Sequence, residues 1–129
     1  MQKLDIKTAK RTELIDITPD VQEAVGKAKI KEGVCFIFCP HTTAGLAINE
    51  NADPSVRKDM INTLNKLIPE NAGYEHAEGN ADAHLKSSLF GQSLTVLVEG
   101  GRLALGTWQG VYFCEGDGPR SRQVWVKVI

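Results

Sequence analysis

Apolar residues recur along this chain with two periods. Residues 4–8 alternate apolar and polar, and residues 13–17 nearly do, so both predict strands with one wet face. Thr18-Pro19 predicts a helix start, with Thr18 as the cap and Pro19 at the first helical position. Val21, Val25 and Ala28 then recur at helical spacing up to Lys31, and Gly33 stops the element. Residues 34–39 are apolar on both faces and predict a central strand, closed by Pro40. Residues 45–50 predict the next strand. Leu46, Ile48 and Glu50 share one of its faces, Ala47 and Asn49 the other.

The period then lengthens. Asp53-Pro54 repeats the cap-and-proline start of a helix running to about residue 68, with Val56, Met60, Leu64, Leu67 and Ile68 along one stripe. Asp59 lies ~125° from the centre of that stripe and reads as solvated. Asn71-Ala72-Gly73 is a turn, and Asn80 reads as the cap of a short helix over residues 81–89, with Asp82 in its first turn. Residues 93–98 return to strand, and Glu99-Gly100-Gly101 is a hairpin-type turn. Strand follows from about 103 to 115, with a bulge expected at Gly106, and residues 122–128 close the chain as an alternating strand. The order predicts a single domain over residues 1–129. Its expected class is α+β: a mostly antiparallel sheet, sandwich- or barrel-like, with two to three helices.

Composition narrows the function classes. With 15 basic and 16 acidic residues the net charge is −1, so nucleic acid is not the expected partner. No apolar run approaches the roughly 18 residues that span a bilayer, and the alternating, acid-bearing N-terminus is no signal peptide. The cysteines, Cys35, Cys39 and Cys114, are odd in number, and the first two lie roughly 13 Å apart along one strand. They read as buried thiols in a reducing compartment, the cytoplasm. Cys39 neighbours His41 but continues an apolar stretch, so it reads as a core thiol.

The chemistry-bearing types fall in polar, glycine-punctuated stretches. His41-Thr42-Thr43 leaves the predicted central strand at its end, where a scaffold presents polar groups. The imidazole suits a general base and the two hydroxyls an anionic ligand; the plain alternative is a turn whose threonines bond their own backbone. Glu50, on the face of Leu46 and Ile48, is either at the rim or partly desolvated and in need of a partner. Asn49 stands beside it. His76 and His84 flank a glycine-asparagine turn, with Asn80 and His84 on one helix face. With Glu50 or Glu78 two imidazoles suit zinc or manganese, and purely local hydrogen bonding is the alternative. Trp108 beside Gln109 can wall a pocket. Arg120 and Arg122, two apart in a strand, would point the same way and could hold a phosphate, unless they are exposed charges of a hairpin.

These motifs resemble the YjbQ-like family over nearly the whole length. The carriers are His41-Thr42-Thr43-Ala44-Gly45-Leu46 with Asn49-Glu50 and Asp53-Pro54, then Asp59, then His76 and Asn80 with His84. Gly91 with Ser93, Leu105-Gly106-Thr107-Trp108-Gln109, and Glu115, Asp117-Gly118-Pro119-Arg120 and Arg122 complete the set. The resemblance implies a compact α+β trimer, a site where these motifs converge, and a secondary thiamine-phosphate synthase activity. That activity joins a pyrimidine diphosphate to a thiazole phosphate with loss of pyrophosphate. The expectation is therefore an enzyme acting on an anionic or phosphorylated small molecule. His41, His76, His84 and Glu50 are its candidate catalytic residues. Thr42, Thr43, Asn49, Asn80, Trp108, Gln109, Arg120 and Arg122 are its candidate binding residues. Zinc, manganese or magnesium at His41, His76 and His84 would make a metal-dependent hydrolase or lyase instead; a metabolite-binding homotrimer without catalysis is the third reading.

Overall fold

The period-two segments form two antiparallel sheets in the computed structural model, which describes residues 1–129. In chain order the elements are β1 (Gln2–Lys7), β2 (Glu13–Asp16), α1 (Thr18–Ala28), β3 (Gly33–Phe38), β4 (Ala44–Glu50) and α2 (Pro54–Leu67). They continue with α3 (Ala81–Phe90), β5 (Ser93–Glu99), β6 (Arg102–Leu103), β7 (Gln109–Glu115) and β8 (Ser121–Val128). One sheet has the order β1-β8-β3-β5-β6 and the other β2-β7-β4, with every pairing antiparallel. The α+β expectation holds.

Alternation decides what faces inward. Cys35 and Ile37 of β3, Val96 and Val98 of β5, and Val124, Val126 and Val128 of β8 meet Ala44 and Leu46 of β4 and Val111 and Phe113 of β7 in one core. Helix α1 adds Val21, Ala24 and Val25 to the same core. Strand β7 is buried on both faces, because its other face carries Tyr112 and Cys114 under Met60 and Ile61 of α2 and Phe90 of α3.

Several local readings change. Thr18 does not cap α1: it is already the first helical residue, the cap position is Ile17 without a side-chain cap, and Asp16 just outside it accepts from the backbone N–H of Thr18 through Oδ1, while the Thr18 hydroxyl accepts from Val111 N. A short acceptor two residues upstream reaches the free N–H better than the β-branched Thr18, which is already helical. Helix α1 ends at Ala28 rather than Lys31, because Lys29 takes a left-handed conformation at φ 56°. Asn80 stands at the head of α3 but makes no side-chain cap, its amide being drawn to Asp117 instead. Gly106 is no bulge. It belongs to the loop between β6 and β7, where its N–H donates to the Gln109 side chain. β3 is central, between β8 and β5, yet only one of its faces is covered: Phe36 and Phe38 are each 42% exposed.

Glycine 45 sets how closely α3 approaches the smaller sheet. A Cβ there would lie 2.7 Å from Gly91 O and 2.8 Å from Phe90 Cβ. Gly26, inside α1, faces open space. Gly45→Ala is therefore expected to lower unfolding free energy by about 1–3 kcal/mol through overpacking. Gly26→Ala should raise it by about 0.5–1 kcal/mol by removing helix-interior glycine. Urea titrations of both variants check the pair.

Candidate functional site

The polar residues gather where β7 turns into β8. Glu115 is fully buried and Arg122 nearly so. Glu115 closes β7 in the smaller sheet and Arg122 lies near the start of β8 in the larger, so their ion pair ties the sheets together at one rim. The pair is bidentate: Arg122 Nε donates to Glu115 Oε2 at 2.8 Å and Nη2 donates to Oε1. Thr8 Oγ1 adds a hydrogen bond to Oε2 at 2.9 Å, and the backbone N–H of Asp117 one to Oε1 at 2.9 Å. Arg122 Nη2 also donates to Thr43 Oγ1 at 2.8 Å. Burial alone would raise the Glu115 carboxyl, but Arg122, the Asp117 N–H and the Thr8 hydroxyl more than reverse it and hold it below the ordinary range.

His41 leans on the same pair. Strand β3 ends at Phe38, and the backbone N–H of Gln123 in β8 donates instead to His41 Nε2 at 2.9 Å. An acceptor on Nε2 requires a lone pair, so the ring is neutral with its proton on Nδ1. Burial and the neighbouring Arg122 charge lower its pKa, with Glu115 pulling the other way. The ring also stands edge-on to Phe113, centroids 6.5 Å apart. Cys39 beside it is buried and pushed up to about 11, which agrees with a core thiol.

A second tier lies outside the pair, built by the turn after β7, the loop before α3, and Arg11. Asp117 Oδ2 accepts from Asn80 Nδ2 at 2.9 Å and from Arg120 Nη2 at 2.8 Å, and its Oδ1 lies 3.3 Å from Arg11 Nη1. Burial raises the Asp117 carboxyl; Asn80, Arg120 and Arg11 outweigh it and lower it. Asn80 Oδ1 is buried and meets no donor within the chain. Beyond Arg11, Asp82 and Lys86 form a buried ion pair at 3.0 Å, with Lys86 Nζ also on Asn65 Oδ1 at 2.8 Å.

His76 and His84 come together at the surface of this tier, ring centroids 5.3 Å apart and perpendicular. They open on a cleft of about 420 Å³ lined also by Tyr74, Glu75, Ala81 and Leu85. His76 Nε2 is 3.6 Å from Glu78 Oε2, and the Glu78 charge in turn acts on Arg120.

The expected residues thus divide. His41, Thr43, His76, Asn80, His84, Arg120 and Arg122 share one pole, with Thr42 exposed beside them. Glu50, Asn49, Trp108 and Gln109 stand at the other end of the smaller sheet. The β4–β7 register pairs Ala44 with Glu115 at the first end and Glu50 with Gln109 at the second, six residues and about 20 Å away. Trp108 is 62% exposed there, and Glu50 is half-buried with its backbone N–H on Asn49 Oδ1 and its carbonyl accepting from Tyr112, while its carboxylate makes no hydrogen bond or ion pair. The four motifs do not share one hollow within this chain.

Two further expectations change. Arg120 and Arg122 do not form a paired clamp, because Arg120 precedes β8 and is held by Asp117 while Arg122 points into the core and is held by Glu115. The three histidines do not form a metal site within the chain. His41 Nε2 is occupied, and no group of three or more His, Cys, Asp or Glu side chains is arranged to hold a metal ion. Thr8, Arg11 and Lys86 carried no signal in the sequence. Thr8 and Arg11 lie far upstream of the other motifs, and Lys86 looks like any helix-surface lysine until the fold buries it.

Comparison with known proteins matches this architecture. The model of the UPF0047 protein YjbQ-like family matches residues 2–129. UPF0047 protein MJ1081 of Methanocaldococcus jannaschii is 56% identical over 98% of this chain and 92% of its own. UPF0047 protein YugU of Bacillus subtilis is 52% identical over 100% and 98%. A YjbQ/UPF0047-family crystal structure from Clostridium acetobutylicum superposes with TM-score 0.98 at 49% identity, covering all of both chains. The conserved hypothetical protein TT1486 of Thermus thermophilus gives 0.93 at 42%, again over both whole chains. This chain belongs to the YjbQ-like UPF0047 family. No helix in it is long and apolar enough to cross a membrane.

The polar rim makes stability acid-sensitive in two windows. His41 has a folded pKa below its unfolded value of 6.5, so the unfolded chain binds more protons in between and stability rises with pH. Its contribution is complete above 6.5 and is lost as pH falls through the folded value. Glu115 and Asp117, lowered from 4.5 and 3.8, lose theirs by the same sign in a more acidic window. Urea midpoints should fall from pH 7 to 5 and again below 4.5, and His41→Asn should flatten the first decline only.

Proposed function

We propose that this chain is a small-molecule enzyme that moves protons on an anionic or phosphorylated substrate, with His76 and His84 as the working imidazoles. The observation that carries this is their meeting at 5.3 Å at the mouth of a cleft. His41, by contrast, spends its acceptor nitrogen on the backbone of β8 and positions the rim. Asn80 supplies a buried carbonyl oxygen with no donor of its own, and Arg120, half-exposed at the same rim, supplies a cation. The narrower reading is a pyrophosphate-releasing transfer like that of a secondary thiamine-phosphate synthase, supported by the motif resemblance and by Arg120 as a partner for leaving-group charge.

We read the working unit as a homotrimer. Its support is two uncovered apolar surfaces: Phe36, Phe38 and Leu97 on the larger sheet, and Leu67, Leu85 and Leu89 on α2 and α3. The cytoplasm suits three buried free thiols.

Pyrophosphate release from a pyrimidine diphosphate and a thiazole phosphate is the assay. His76→Ala and His84→Ala should each lower turnover about 100-fold or more, the scale of general acid–base catalysis. Unchanged turnover in both variants would remove the reading. Light scattering should return three times the 14.1 kDa chain mass for the wild type. Phe36→Lys with Leu97→Lys should shift it toward the single chain, and a wild-type mass of one chain would end the trimer.

A further inference from the structure

A second cleft opens on the far side of Arg11 from the histidines. Its volume is about 460 Å³, and Arg11, Thr12, Asn65, Glu70, Asp82 and Lys86 give it a polar lining. Neither histidine lines it. Lys86 and Asp82 are almost fully buried there, their side chains 2% and 1% exposed. A buried lysine must be satisfied, and Asn65 and Asp82 take two of its three N–H groups.

The cations of this region are held unequally. Arg11 and Lys86 line the cleft with one buried carboxylate, Asp82, and one exposed carboxylate, Glu70. Asp82 accepts from Lys86 and from Arg11, each at 3.0 Å. Asp117 serves Arg11 at 3.3 Å and Arg120 at 2.8 Å. The remaining acidic partners are exposed. Glu70, half in solvent, reaches Arg11 Nε at only 3.4 Å, and Glu78 acts on Arg120 from beside His76. An exposed ion pair of this kind is weak, so an external anion can displace Glu70. The carboxylate of Glu70 thus occupies the place on Arg11 that a ligand's oxyanion would take, with the remaining Lys86 N–H and the Thr12 hydroxyl as further donors.

We propose that this cleft binds the oxyanion group of a small molecule, a carboxylate or a phosphate, on Arg11 and Lys86 in exchange for Glu70. The proposal goes beyond the acid–base reading and is tested without turnover. Isothermal titration of the full chain with inorganic phosphate and, separately, with acetate, at ionic strength fixed by sodium chloride, reads the binding and tells the two oxyanions apart. Saturable heat with either ion is the expected result. Glu70→Gln, a change at an exposed position, should tighten that binding roughly two- to fivefold, the scale of the surface pair removed. Lys86→Met should weaken it about tenfold or more, the scale of a lost charge-assisted hydrogen bond. If Lys86→Met does not fold, Glu70→Gln decides alone. No saturable heat with either ion, or an affinity unchanged in Glu70→Gln, overturns the proposal.

Discussion

The Glu115–Arg122 pair is the constraint around which the polar end of this molecule is arranged. Two charges withdrawn from water between sheets are expensive unless each lone pair and proton is answered. Here the answers come from four places: the end of β1 through Thr8, the start of β4 through Thr43, the turn after β7 through the Asp117 N–H, and β8 itself. Displacing any one of these segments would leave a buried charge short of a partner. Removing one partner would strand the other as an uncompensated buried charge, so the pair penalises arrangements of the rim that part Glu115 from Arg122.

The rest of the site inherits that rigidity. Asp117 is positioned by donating its backbone to Glu115, and it then holds Asn80, Arg120 and Arg11. Asn80 begins α3, so the histidines that flank it are referenced to the sheets through one carboxylate. The other end of α3 is anchored by Ser87, whose hydroxyl donates to Ala44 O at 2.7 Å, and by the close pass over Gly45. Catalytic constellations profit from such support, because side chains on braced elements lose little freedom on meeting a ligand.

Much of the architecture was legible in hydrophobic period alone. Strict alternation in β1 and β8 and the helical stripe in α1 are local signals, and local signals name elements. What faces what is set by non-local pairing. Residues 34–39 are apolar on both faces, as a strand between two covering layers would be, yet Phe36 and Phe38 meet solvent because no layer covers that side of the sheet. The candidate site was legible by type, since histidines, amides and arginines in glycine-rich turns do cluster. Its partition was not. The register that sends Glu50 and Trp108 to the opposite end depends on which strand pairs with which. Arg122 was visible as a charge, but its commitment to Glu115 follows from the inward face of β8, which a turn-centred reading of residues 120–122 hides.

Helix α2 stands apart from everything else. None of its residues is fully buried, whereas α1 places Val21, Ala24 and Val25 in the core and α3 buries Asp82, Ala83, Lys86 and Ser87. Its apolar stripe is only half-covered, and Leu67 near its end is 72% exposed. Segments with so little buried surface open at a free energy well below that of the whole domain. In amide exchange α2 would therefore form its own early-opening unit, releasing protons while the sheets remain closed. Whatever docks on that side would convert the most loosely held helix into part of the cooperative body.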